Sequence, residues 1–167
     1  MSLLPFEKIK RKVLIRKNYG TDAKFGCKPE DRTTEEILNY GVVNIDKPSG
    51  PTSHQVSDYV QRVLNINKSG HSGTLDPKVT GCLPVALADS TKVVQVLLHA
   101  GKEYVGIMHL HKTVPEKKLN ETIEKFTGRI KQLPPIKSSV KRQWRFRNIY
   151  YFDILEVSED GKDILFK

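Results

Sequence analysis

The chain has 167 residues, with 28 Lys and Arg against 19 Asp and Glu, for a net charge of +9. That length suits one domain, or one domain with a tail, and allows a packed core without disulfide or metal staples. With 38% hydrophobic and 28% charged residues, and no run of about 20 apolar residues, the composition argues against a membrane protein and against global disorder.

Residues 1–40 read as an N-terminal extension, in which charge, Pro5, Gly20, Gly26 and Pro29 interrupt any long period, although Thr33 is placed to cap a short helix through Leu38. A compact domain is expected over 41–167. Val42, Val43 and Ile45 form a short buried strand closed by the loop Lys47-Pro48-Ser49-Gly50-Pro51. Thr52 or Ser53 then caps a helix with Val56, Val60, Val63 and Leu64 on one face. Lys68 to Gly81 reads as a long Gly/Ser/Thr loop before a Cys82–Leu87 strand, which Pro84 would place at an edge or beside a bulge.

A second helix is expected from Asp89 or Ser90 through Leu98, with Gly101 as its stop. Glu103 to His111 alternates as a strand, Glu116 to Thr127 as a helix grouping Leu119, Ile123 and Phe126, and Pro134-Pro135 opens a basic loop. Ile149 to Val157 is a further strand, and Asp160-Gly161 a hairpin turn into Ile164–Phe166. Hairpins with separate helices predict an α+β fold with a mixed, largely antiparallel sheet. The last strand ends at Lys167 with no closing element, so a fragment of a longer chain is expected.

The positive charge favours a polyanionic partner. One basic cluster is Lys8, Lys10, Arg11, Lys12, Arg16 and Lys17, for which a surface role and a phosphate-binding role both stand. The other is Lys137, Lys141, Arg142, Arg145 and Arg147, interleaved with Trp144 and Phe146, a composition that suits single-stranded RNA contact. Cys27 and Cys82 form no C-x-x-C pair, and no signal peptide opens the chain, so a reducing, intracellular setting is expected. His109 and His111 share a strand face but have no companion ligands, so no metal site is assigned.

The most informative stretch is Gly70-His71-Ser72-Gly73-Thr74-Leu75-Asp76-Pro77. Pro77 biases Asp76 away from helical φ and ψ, which can present its carboxylate at the lip of a cleft as a nucleophile or base. On composition alone, a turn or cap role for Asp76 stands beside the catalytic one. No Gly-Lys-Ser/Thr follows the glycines, and no Gly-x-Ser-x-Gly elbow is present, so neither a phosphate-cradling loop nor a serine hydrolase is read here.

Three segments in order, 41–53, 70–85 and the Lys102-Glu103-Tyr104 run, together resemble the dyskerin/TruB family of RNA pseudouridine synthases, on the archaeal dyskerin side. The resemblance spans about Gly41 to Lys167. It implies isomerisation of uridine to pseudouridine in rRNA or tRNA, with no metal and no organic cofactor. Asp76 matches the catalytic aspartate, Tyr104 the tyrosine that packs on the target base, and His71 a residue near the everted nucleotide. Lys47 lies in the motif that supports the site floor, where plain packing is an equal reading. The stretch from Pro134 to Arg147 resembles a segment that closes over RNA, with Lys141 matching a motif lysine; Ser139 and Trp144 depart from the pattern.

The implied partners are a box H/ACA guide RNA, substrate RNA and the small proteins of that particle, and the implied location is cytoplasmic in an archaeal cell or nucleolar in a eukaryotic one. The family also carries a basic residue in a Gly-Thr-Tyr-Ile-Arg-like segment and a PUA domain, which this sequence does not reach. The 167 residues are therefore expected to be the N-terminal part of a longer enzyme and inactive alone. Two rivals stay open: a catalytically silent RNA-binding scaffold, and a stand-alone tRNA pseudouridine-55 type synthase.

Overall fold

The computed structural model describes residues 3–20, 22, 24–136 and 141–167. The chain forms two compact units, one spanning Ile15–Ala100, the other combining the N-terminal residues through Leu14 with Gly101–Lys167. All strand pairs are antiparallel, as the α+β reading expects.

In the Ile15–Ala100 unit, helix α1 (Thr34–Tyr40) and helix α2 (Ser53–Val63) each begin with a capping box. Thr33 and Thr52 accept the backbone N–H of Glu36 and Gln55, whose side chains return the bond, satisfying orphan donors of the first turn. Strands β1 (Val42–Lys47), β2 (Ser69–His71) and β3 (Gly81–Leu87) form one sheet in the order β1-β3-β2. One face of α2 and the inward residues of the sheet make the core: Val56, Leu83, Val85 and Leu87 are buried, with Val43, Ile45, Val60 and Leu75 packed on them. A 3₁₀ turn, Ala88–Val93, then leads into the short helix α3 (Val94–Leu98), which stops before Gly101.

Pro84 corrects one expectation, because β3 is the central strand. In an extended strand the N and O of one residue point to the same side. The Pro84 carbonyl accepts from Ser72 N at 3.0 Å, so its nitrogen also faces the β2 side. There the ladder has already ended, at His71 opposite Val85. The proline therefore costs no bond to β1, and the strand is edge-like only at that residue.

In the other unit, β4 (Gly106–His109), β7 (Ile154–Val157) and β8 (Asp163–Phe166) form a sheet in the order β4-β8-β7 around the fully buried Ile164. The expected turn at Asp160-Gly161 joins β7 to β8: Gly161 has φ 67° and its N–H reaches the Ser158 carbonyl at 2.8 Å. Helix α4 (Glu116–Phe126) puts Leu119, Ile123 and Phe126 along one apolar hollow. The strand expected over Glu103–His111 is shorter, four residues from Gly106.

The stretch expected as one strand over 149–157 is divided. Ile149 ends β6 (Arg145–Ile149), which pairs with β5 (Gly128–Gln132), a strand the sequence reading did not anticipate. Arg145 and Arg147 accordingly sit on a strand and not in a loop.

Candidate functional site

The site is built from β1 outward. Alternation along β1 turns Val43, Ile45 and Lys47 inward. Lys47 is thus the last inward residue of a core strand, and it is 0% exposed. A buried ammonium must be solvated by the protein. Its Nζ donates to the carbonyls of Val79 at 2.8 Å, Pro48 at 2.9 Å and Pro77 at 3.1 Å, which uses all three of its N–H bonds. Gly50 N also donates to the Pro77 carbonyl, at 2.8 Å. Residues 77–79 are thereby fastened to the end of β1.

The other shoulder of the same loop is fastened by Ser53. With Thr52 serving as the helix cap, the Ser53 hydroxyl is left to accept from Leu75 N at 2.9 Å and to reach Leu75 O at 3.1 Å. Ser53 is 1% exposed. Asp76 lies between these two clamps and is exposed. Its own carbonyl accepts from Val79 N at 3.0 Å, closing a turn through Pro77 and Lys78. The loop backbone is fixed on both sides of a carboxylate that faces solvent.

His71 ends β2, and its Nδ1 lies 2.6 Å from the Gly73 carbonyl. A carbonyl oxygen only accepts, so Nδ1 carries the proton; in the neutral ring Nε2 is then an acceptor. The His54 ring meets His71 edge-on, with centroids 5.0 Å apart. The structure thus brings Lys47, His71 and Asp76 into one unit around one loop. The sequence reading missed Ser53 as a clamp and His54 as a ring neighbour; the only signal was that Thr52 and Ser53 competed for one cap, leaving one hydroxyl unassigned.

Tyr104 belongs to the other unit, where it is 61% exposed on the irregular segment 101–105. With Glu103, Arg147, Tyr151, Phe166 and Lys167 it borders a hollow of about 600 Å³. The Tyr151 hydroxyl donates to Glu103 Oε2, which also pairs with Lys167 Nζ at 3.2 Å. The hydroxyl bond, and after it the ammonium, hold the Glu103 carboxyl below its usual range, while the same carboxylate pushes the Tyr151 phenol up to about 12. This trio was not read from the sequence.

Of the basic cluster, Lys137 lies outside the described residues. Lys141 and Arg142 are exposed before β6. Arg145 donates from Nη2 to the Lys141 carbonyl at 3.2 Å, and Arg147 from Nη1 to the Phe146 carbonyl at 2.9 Å. Because side chains alternate on β6, the arginines face away from Phe146. The aromatics are met instead by β5: Arg129 sits 4.2 Å over Phe146, and Lys131 5.0 Å over Trp144. His109 pairs with Asp163 at 2.6 Å. Among the described residues no group of three or more His, Cys, Asp or Glu is placed to hold a metal ion, and no helix is long and apolar enough to cross a membrane.

Known proteins are similar to this chain in sequence and in fold. Residues 2–57 match the DKCLD (NUC011) domain, and residues 61–117 the TruB family pseudouridylate synthase (N terminal domain). A protein of Pyrococcus horikoshii named probable tRNA pseudouridine synthase B is 54% identical over 99% of this chain and 49% of its own length. The chain thus spans about half the length of the curated relatives it matches. A solved Cbf5-Nop10-Gar1 complex contains a chain with TM-score 0.88 and 52% identity, matched over 95% of this chain and 48% of that one. An H/ACA RNP bound to a substrate RNA containing 2'-deoxyuridine gives TM-score 0.83 and 48% identity, over 95% and 47%. Residues 61–117 thus carry the match to the TruB family pseudouridylate synthase N terminal domain, and in sequence and fold the chain is similar to archaeal Cbf5.

Proposed function

We propose that this chain carries the catalytic aspartate of an RNA pseudouridine synthase acting on uridine in rRNA or tRNA, directed by a box H/ACA guide RNA. The observation that carries the reading is the Asp76 loop, clamped by buried Lys47 and Ser53 so that one carboxylate stands out at a fixed place. The bond from C1′ to N1 breaks and one from C1′ to C5 forms; the C5 proton leaves and N1 gains one, so the base is isomerised without net change. Asp76 engages the reacting nucleotide, Tyr104 stacks on its base, and His71 lies beside it. Lys47 holds the floor. No metal or organic cofactor takes part.

A paired uridine must leave its stack to reach a side chain, at a cost of a few kcal/mol. Contacts from Lys137, Lys141, Arg142, Arg145 and Arg147 to phosphates would offset that cost. In this reading residues 41–167 contribute to the catalytic domain, 1–40 are an extension, and the enzyme works in the cytoplasm of an archaeal cell beside small H/ACA proteins.

The test is Asp76→Asn in the complete protein, with guide and substrate RNA, followed by release of tritium from 5-tritiated uridine. Release should fall by about 10²-fold or more while RNA affinity is largely kept. Unchanged release would leave only an RNA-binding scaffold. The name of the Pyrococcus horikoshii relative favours a second reading, a tRNA enzyme that needs no guide. Efficient modification of a tRNA stem-loop without guide RNA would select it.

A further inference from the structure

Segment 101–105 forms neither helix nor strand, yet it carries the ring that the proposed reaction stacks on the base. Something other than a ladder must set its position. Directly after it, Gly106 passes so close to Phe166 that an added Cβ would lie 3.2 Å from the ring, and Phe166 is stacked on Phe152 with centroids 4.8 Å apart. Asp153 and Lys167 exchange two backbone bonds of 2.8 Å. Residues 151–153 and 166–167 therefore form a firm platform. From it the Tyr151 hydroxyl and the Lys167 ammonium converge on the Glu103 carboxylate.

We propose that Glu103 is a positioning residue for Tyr104: docked on Tyr151 and Lys167, it fixes the irregular segment from which the Tyr104 ring is offered to an RNA base. This role rests on the assignment of Tyr104 to base stacking. It has a second consequence. A bare carboxylate beside Arg147 in this hollow would repel an incoming phosphate; with its Oε2 engaged by both a hydroxyl and an ammonium, Glu103 anchors the segment while its charge is offset.

The sign of one substitution separates positioning from plain charge. Glu103→Gln removes a negative charge, which by electrostatics alone tightens RNA binding. If Glu103 acts through Tyr104, binding weakens instead. The experiment measures binding of fluorescein-labelled oligouridine RNA to the 167-residue chain and its variants, with circular dichroism as the folding control. Tyr104→Ala should weaken binding about tenfold, the size of one lost base stack. Glu103→Gln should weaken it about threefold, and the double variant should bind as Tyr104→Ala does, because two residues acting through one contact are not additive.

With 3-fluorotyrosine incorporated, the fluorine resonance that Tyr104→Phe removes should move in Glu103→Gln and lose its response to RNA, a signature that a general loss of stability would not give. Tyr151→Phe, which keeps every charge and removes one of the two tethers, should act in the same direction with smaller size, and serves if Glu103→Gln does not fold. Weakening by Tyr104→Ala with none by Glu103→Gln would overturn the positioning role and leave the Tyr104 assignment standing. Additive losses in the double variant would also overturn it. No effect of Tyr104→Ala would remove the stacking assignment itself and this role with it.

Discussion

The Asp76 loop and the Tyr104 segment are both irregular stretches that carry a proposed functional side chain, but they are held by opposite means. Asp76 is held from below, by a wholly buried ammonium and a buried hydroxyl that bind loop backbone. Tyr104 is held from the side, through a carboxylate and a phenol that remain open to water. A buried clamp cannot be replaced by solvent, so its loss leaves unpaired groups in the interior. An exposed one is exchanged for water at small cost. The first device should therefore govern stability, and the second should govern presentation.

Lys47→Met is the most direct way to break that contrast. Methionine keeps most of the volume and removes the ammonium, so the carbonyls of Pro48 and Val79 lose the Lys47 donor and that of Pro77 is left with Gly50 N alone. The expected loss is about 3 kcal/mol, seen as a lower urea midpoint. Hydrogen exchange at Val79, whose N–H closes the Asp76 turn, should accelerate beyond the global change. Equal stability of the variant would mean that Lys47 is packing alone. Ser53→Ala is the milder cut. It removes the acceptor of Leu75 N but leaves the Thr52 cap intact, so a loss of about 1–2 kcal/mol is expected in the same assay. A loss no larger than that of an exposed serine would show that the loop does not depend on its second shoulder.

Much of the first region could be read from residue order. Thr33, and one of Thr52 and Ser53, announced helix starts because a hydroxyl just before an apolar-periodic run caps the first turn, a local rule. Asp160-Gly161 announced a hairpin for the same reason. Pro84 misled because a proline's cost depends on which neighbour its nitrogen faces, and only the length of β2 decides that. Lys47 could be placed in a motif, but its burial follows from β1 alternation continuing two residues past Ile45, where a charge conventionally signals the end. The second region was harder. Glu103 lies 48 residues before Tyr151 and farther still from Lys167, and nothing local links it to either. The alternation of Arg145, Phe146 and Arg147 looked like cation–aromatic interleaving; across a strand it separates the two kinds, and the cations on the rings come from β5, a strand the basic composition concealed.

The smallest effect, and the sharpest probe of the exposed clamp, is its behaviour with pH. The Tyr151 phenol is raised from its ordinary 10.0 to about 12, first by its bond to Glu103. A group whose value is raised in the folded state stabilises it fully below the unfolded value, and that contribution is lost as pH rises through the folded one. The clamp should thus be intact at neutral pH and open between about pH 10 and 12. Glu103 is lowered, so its contribution is present above the ordinary carboxylate value of 4.5 and disappears as pH falls through the lowered one. In a phenolate titration followed by ultraviolet absorbance, one tyrosine should ionise late, and Glu103→Gln should bring it back toward 10 with little change in the melting temperature at pH 7. If that late tyrosine persisted in Glu103→Gln, the phenol would be held by burial and not by the carboxylate, and the two regions would no longer differ in the way they fasten their loops.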